Sequence, residues 1–146
     1  MKKQFDPHMH TAEHILNQTM VKMFGISRCF SAHIEKKKSK CDYRMPRDPG
    51  DAVLSRVAEA VNRVIAADLP VDAVSVDRST AAWRFHLDRL PADVGDSIRI
   101  VRVGDFDACP CIGTHVRSTG EIGRFRITTA TFRDGVLRIR FKLGRA

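Results

Sequence analysis

Two short stretches of the chain concentrate residues that could do chemistry. In "HTAEH", His10 and His14 stand at i and i+4; in "PCIGTHVRSTGEIG", Cys111 and His115 repeat that spacing within a run of glycines and small polar residues. Imidazole nitrogens at i and i+4 on a helix can converge on one ion. A thiolate and an imidazole from a glycine-bearing loop can supply the other half of a tetrahedron, so the residues together make a set of one cysteine and three histidines for Zn2+. His8 and Cys109 are neighbouring competitors. His8 precedes His10 by two helical positions and points to another side of the helix, and Pro110 is expected to turn Cys109 away. Glu13 precedes the second histidine rather than following the first, so the HExxH pattern of zinc proteases is not met.

The elements that must position these residues are legible in outline. Asp6 and Pro7 form a helix start, the carboxylate capping free N–H groups and proline taking the first position, where no N–H is needed. Ala12, Ile15, Leu16, Thr19, Met20 and Met23 then fall on one stripe, and Gly25 supplies the stop, for a helix of about five turns. His10 and His14 lie roughly opposite the centre of that stripe. "RCFSAHIEKKKSKCDYRM" reads as two β-segments around a basic loop, Glu35 to Lys40, with Ser31 and His33 on the same side of the first. A second helix follows, with Val53, Leu54, Val57, Val61, Val64 and Ile65 as its apolar stripe and Pro70 ending the pattern.

Val71 to Val76 is a short strand, and "SIRIVRVGDFD" an alternating one; the type of "STAAWRFHLDRLP" between them is not settled by periodicity. Asp134-Gly135 marks a hairpin whose second strand turns Leu137, Ile139, Phe141 and Leu143 to the core and Arg138, Arg140 and Lys142 outward. Trp83 and Phe30 are expected to pack rather than to stack on bases. The result is an α+β fold, residues 1–146 forming one domain: a mainly antiparallel sheet packed by two long helices, with the zinc site between the first helix and the Cys/His loop.

Composition bounds the function. A chain of 146 residues, 43% hydrophobic and 29% charged, can bury a core without disulfides, and no run approaches the roughly 20 apolar residues of a membrane helix. The N-terminus carries no apolar run of the secretory kind, so a cytoplasmic protein is expected, with Cys29, Cys41, Cys109 and Cys111 available for metal or catalysis rather than disulfides. The net charge of +8 favours polyanionic partners, nucleic acid first.

"HTAEHIL", "FSAHIE" followed by "KCDY", "VNRVIAADLPV" and "VGDFDACPCIGTHVRSTGEIG" together resemble the editing domain of alanyl-tRNA synthetase and its free-standing AlaX-type relatives, a fold also similar to the threonyl-tRNA synthetase editing domain. The resemblance runs from about residue 8 to the final strand. It implies hydrolysis of a wrongly attached amino acid from tRNA, serine or glycine from the tRNA for alanine, independent of ATP and serving translation fidelity. His10 and His14 match the family's HxxxH and Cys111 and His115 its CxxxH, all four as zinc ligands. A chain beginning almost at "HTAEH" looks like the short form, without a preceding β-barrel and without adenylation or anticodon-binding modules. Where the family commonly has two glycines after the cysteine, Ile112 precedes Gly113.

An aminoacyl-tRNA ester is already activated, so the enzyme needs chiefly to position water and stabilise the developing oxyanion. For that pocket Ser31 and His33 share a strand face, and Asp107 and Thr114 flank the metal loop. His33 is expected to hold water or the terminal ribose, Asp107 to orient a metal histidine, and Thr114 and Ser31 to contact the substrate. Lys36, Lys37 and Lys38 are candidates for the tRNA backbone. Three alternatives remain open: a non-catalytic, zinc-stabilised tRNA-binding module, a threonyl-type editing deacylase, and a metal hydrolase of another small acyl substrate.

Overall fold

The computed structural model describes residues 6–85 and 95–144. Helix α1 runs Pro7–Phe24, capped as its sequence predicts: the Asp6 carboxylate accepts from Met9 N–H at 3.0 Å, and Gly25, at φ 66°, donates to the Val21 carbonyl. Strands β1 (Ser31–Ile34) and β2 (Ser39–Arg44) form the expected hairpin, and α2 spans Asp51–Ala66 with Leu54, Val57, Val61 and Ile65 buried. There follow β3 (Val71–Asp77), α3 (Arg78–Arg84), β4 (Ser97–Val103), β5 (Asp107–Pro110), a 3-10 turn at Thr119–Ile122, β6 (Arg124–Arg133) and β7 (Val136–Gly144). The unsettled segment thus opens as a short helix; its remainder, with His86, lies outside the described residues.

All strand pairings are antiparallel, in two sheets: β1-β2-β7-β6 and β3-β4-β5. Strand alternation does not reveal this division, because each strand alternates in the same way whichever sheet it joins. Asp134 (φ 52°) and Gly135 (φ 78°) make the tight turn between β6 and β7, whose residues Leu137, Ile139 and Phe141 are buried. Among the described residues no helix is long and apolar enough to cross a membrane.

Helix α1 is buried nearly all round, from Met9 to Asn17. Its apolar stripe meets α2 and the four-stranded sheet, and the opposite face, polar and bearing His10 and His14, is covered by the segment that follows β5. Three of the expected packing positions are corrected. Met23, in the last turn, is 41% exposed and lines a surface groove with Met45 and Pro46. Phe30 is 43% exposed, under the guanidinium of Arg44 at 4.2 Å, and Trp83 is 90% exposed on α3. The smaller sheet has room under α3 only for Ala81 against Ile98 and Ile100, which leaves the indole outside.

Candidate metal centre

Strand β5 pairs with β4 through Pro110, and the chain beyond it crosses α1 as an irregular segment pinned from below. Arg99 of β4 donates to the carbonyls of Cys111 (3.1 Å) and Gly113 (2.7 Å), fixing the turn that carries the thiol. One ligand atom from each of His10, His14, Cys111 and His115 lies within 4.8 Å of the others. The imidazole centroids are 4.1 to 5.0 Å apart. His10 and His14 are each 4% exposed, buried because the loop closes over their side of the helix.

Hydrogen bonding dictates which nitrogen two of the three rings offer. His10 Nδ1 is 3.1 Å from the Thr114 carbonyl, which can only accept, so Nδ1 carries the proton and Nε2 a lone pair. That Nε2 faces Cys111 Sγ at 3.4 Å. Thr11 Oγ1 donates to the Pro7 carbonyl at 2.8 Å, so toward His115 Nδ1, at 3.0 Å, it acts as acceptor. His115 is thereby another Nδ1–H tautomer, with Nε2 facing Cys111 Sγ at 3.6 Å. Val116 N–H also reaches Thr11 Oγ1 at 3.2 Å, so one helix hydroxyl sets both ring and loop. Burial, with the adjoining His10 ring and the Arg99 guanidinium, pushes the His115 pKa down to about 3, so this imidazole is neutral.

On the third ring, His14 Nδ1 lies 3.8 Å from Asp107 Oδ2. Asp107 is itself 5% exposed and grips Arg28 through both oxygens, at 2.8 and 3.3 Å. Two neutral imidazoles with their Nε2 lone pairs turned inward, a third beside a carboxylate, and one thiol suit a borderline-soft tetrahedral cation such as Zn2+.

Gly113 cannot be replaced without moving the His10 ring. A Cβ there would meet His10 Cε1 at 2.3 Å and Nδ1 at 2.6 Å. Gly113→Ala is therefore expected to displace the His10 ring and weaken metal affinity by about 10- to 100-fold, the range for lost ligand support. Competition with a chromophoric chelator reads the change, and unaltered affinity would show that the loop yields instead.

The other sequence candidates are scattered. His8 is exposed near Asp6, and Cys109 Sγ turns to the Pro110 carbonyl; neither joins the four donors. The Cys109 thiol is pushed up to about 11, burial outweighing the pull of Arg28. Ser31 and His33 are on the outer side of β1, and His33 Nε2 sits 2.6 Å from Glu35 Oε1. Lys36, Lys37 and Lys38 are exposed in the hairpin loop. Thr114 is exposed, and it is its backbone carbonyl that holds His10; Ile112 is 49% exposed. Thr11, Arg28 and Arg99 are not singled out by sequence, and only Thr11, inside "HTAEH", carries a positional hint.

Together these features define a class: an α+β domain whose first helix and a glycine-bearing loop bring one cysteine and three histidines to a single centre. The family described as the threonyl and alanyl tRNA synthetase second additional domain matches residues 98–140, and over nearly its whole length the chain is similar to alanine-tRNA ligases and, over most of it, to an alanyl-tRNA editing protein. It is 34% identical over 142 residues, 94% of its length, to the alanine-tRNA ligase of Archaeoglobus fulgidus, and 34% over 145 residues, 93% of its length, to that of Pyrobaculum neutrophilum. It is 32% identical over 120 residues, 82% of its length, to the alanyl-tRNA editing protein AlaX-L of Pyrococcus horikoshii. The chain spans 16% of each ligase and 29% of AlaX-L.

Proposed function

We propose that this domain is a zinc-containing hydrolase that removes a wrongly attached amino acid from tRNA in the cytoplasm, serine on the tRNA for alanine above all, glycine next. One observation carries the reading. The cluster of one cysteine and three histidines, two of its rings held in the ligand tautomer, lies in a chain related to a protein named for alanyl-tRNA editing. His10, His14, Cys111 and His115 would hold Zn2+. When bound, the ion supplies Lewis-acid polarisation and a fixed point for a substrate amino or hydroxyl group.

The chain's own residues do the rest. Asp107 positions His14, itself held by Arg28. Thr114 fixes His10 with its carbonyl, and its side-chain hydroxyl is assigned to the substrate's hydroxyl. His33 is assigned to water or the terminal ribose, and Ser31, on the same strand face, to the substrate. Lys36, Lys37 and Lys38 are assigned to backbone phosphates, which set affinity and not sequence choice.

The deciding experiment is deacylation of a panel, with Ser-, Gly- and Ala-tRNA for alanine beside Ser-tRNA for threonine, using zinc-loaded and chelator-treated chain. Metal-dependent release of serine from the alanine tRNA, with alanine spared, is expected. Preference for the threonine tRNA would point to a threonyl-type deacylase. A donor set with four protein ligands is closed, the form usual in structural sites, and this favours a second reading: a tRNA-binding module in which zinc only ties loop to helix. Binding without turnover of any panel member would select it.

Changing Lys36, Lys37 and Lys38 together to alanine is expected to weaken tRNA binding and flatten its log-log salt slope by about 2, given roughly 0.7 to 0.9 per phosphate contact. An unchanged slope would remove the loop from the interface.

A further inference from the structure

Beside the first cluster, deeper in the core, lies another group of ligand atoms. Glu13 projects from α1, Cys29 from the segment leading into β1, and Cys41 from β2, and one ligand atom of each lies within 4.8 Å of the other two. These residues are 5%, 2% and 0% exposed. Cys29 Sγ donates to Glu13 Oε2 at 3.5 Å, and the Cys41 thiol lies against them. Asn17 Oδ1 accepts from Cys29 N–H at 3.4 Å and from Tyr43 O–H at 2.7 Å, which fixes the backbone that carries Cys29. The editing reaction proposed above uses none of the three.

Two buried cysteines alone would be ordinary, since a thiol packs as a small hydrophobe. A carboxylate converging on both of them in the core is not. All three groups are anions when ionised, and anions gather in buried space around a cation that offsets them. S–H is a weak donor to a carboxylate. His10 Nε2 lies 3.8 Å from Glu13 Oε1, but the Thr114 carbonyl holds that ring in the tautomer whose Nε2 offers a lone pair. A disulfide between Cys29 and Cys41 would set the carboxylate against sulfurs that donate nothing, and burial shields both thiols from oxidants. A cation instead engages all three groups at once.

We propose that Glu13, Cys29 and Cys41 form a second metal site, for a divalent d10 cation of the zinc and cadmium class, joining α1 to the β1–β2 hairpin. Two thiolates and a carboxylate are the anionic ligands such ions accept. Binding releases the two thiol protons, so affinity rises with pH. The site then carries one net negative charge, within the field of the Arg28 guanidinium.

Titration of the reduced, metal-stripped full chain with Co2+ tests this, because thiolate-to-cobalt absorption grows with the number of thiolate ligands. The first cluster offers one thiolate and the second two. Two equivalents are expected to bind, with a plateau about threefold that of a one-thiolate site. The double variant Cys29→Ser, Cys41→Ser should retain one equivalent and about a third of the band, and Cys111→Ala one equivalent and about two thirds. A single equivalent, lost in Cys111→Ala and untouched in the double variant, overturns the proposal. A single equivalent with the opposite dependence keeps this site and overturns the Cys111 assignment, so the two failures are distinguishable. If a variant does not fold, native mass spectrometry of the unaltered chain with Zn2+ decides: two ions per chain uphold the second site, one overturns it.

Discussion

Replacing Cys111 with alanine is expected to release the metal from the first centre and lower deacylation by at least about 1000-fold. The thiolate is the only anionic donor among the four, and its loss leaves three neutral imidazoles to hold a dication. Binding energies at such sites are about 10–16 kcal/mol, so a charged ligand removed without replacement costs about 4 kcal/mol or more, three decades in affinity. The loop also loses an anchor, since Gly113 N–H donates to Cys111 Sγ at 3.4 Å. Metal content after dialysis and turnover of the mischarged tRNA are the two readouts. Zinc retained at full occupancy with full activity would sink the ligand assignment.

Asp107→Ala is expected to damage stability and metal binding together. The carboxylate, 2% exposed at its side chain, is the partner that keeps the Arg28 charge tolerable among buried groups. Burial works against that charge, and the neighbouring acidic groups, Asp107 foremost, together outweigh burial and hold Arg28 above its ordinary value. Removing one partner of a fully buried pair costs about 3–5 kcal/mol; Arg28 keeps 27% of its side chain in solvent, so about 2–3 kcal/mol is expected here. The same change removes the carboxylate 3.8 Å from His14 Nδ1, and a further loss of about 10-fold or more in metal affinity is expected. Urea unfolding of the metal-free chain isolates the first effect, and chelator competition the second. Asp107→Asn, which keeps the shape without the charge, should lose stability and retain more of the ring's orientation. Full stability of the alanine variant would mean that Arg28 reaches water once its partner is gone.

The parts of this protein that are legible in sequence are those governed by neighbours along the chain. Asp6-Pro7 and Gly25 bound α1 because caps satisfy local backbone groups. Asp134-Gly135 makes the hairpin because two consecutive positive φ angles need such residues. The i, i+4 pairing of His10 with His14, and of Cys111 with His115, is likewise local, which is why both half-sites stand out.

Other features depend on which distant surfaces meet. Nothing in the alternation of β4 or β7 says that they belong to different sheets, and the exposure of Trp83 follows from how little apolar surface α3 finds beneath it. The roles of Thr11, Arg28 and Arg99 are hidden for the same reason: each acts on a group far away in sequence or across the fold, and a threonine or arginine pattern carries no sign of its target. Glu13 reads only as a failed protease motif until folding sets it beside Cys29 and Cys41.

What sequence alone determined, then, is the kit: two amphipathic helices, the paired strands, and donors at metal-binding spacing, because those rest on periodicity and short-range hydrogen bonding. What only the tertiary structure decided is how the kit is joined. It carries the loop after β5 across α1, chooses the nitrogen that His10 and His115 present, and buries a carboxylate with two thiols beside the first centre. The physical reason is that ring tautomers and burial are set by groups distant in sequence, as Thr114 is from His10 and Thr11 from His115, brought within about 3 Å by the packing of α1 against that loop.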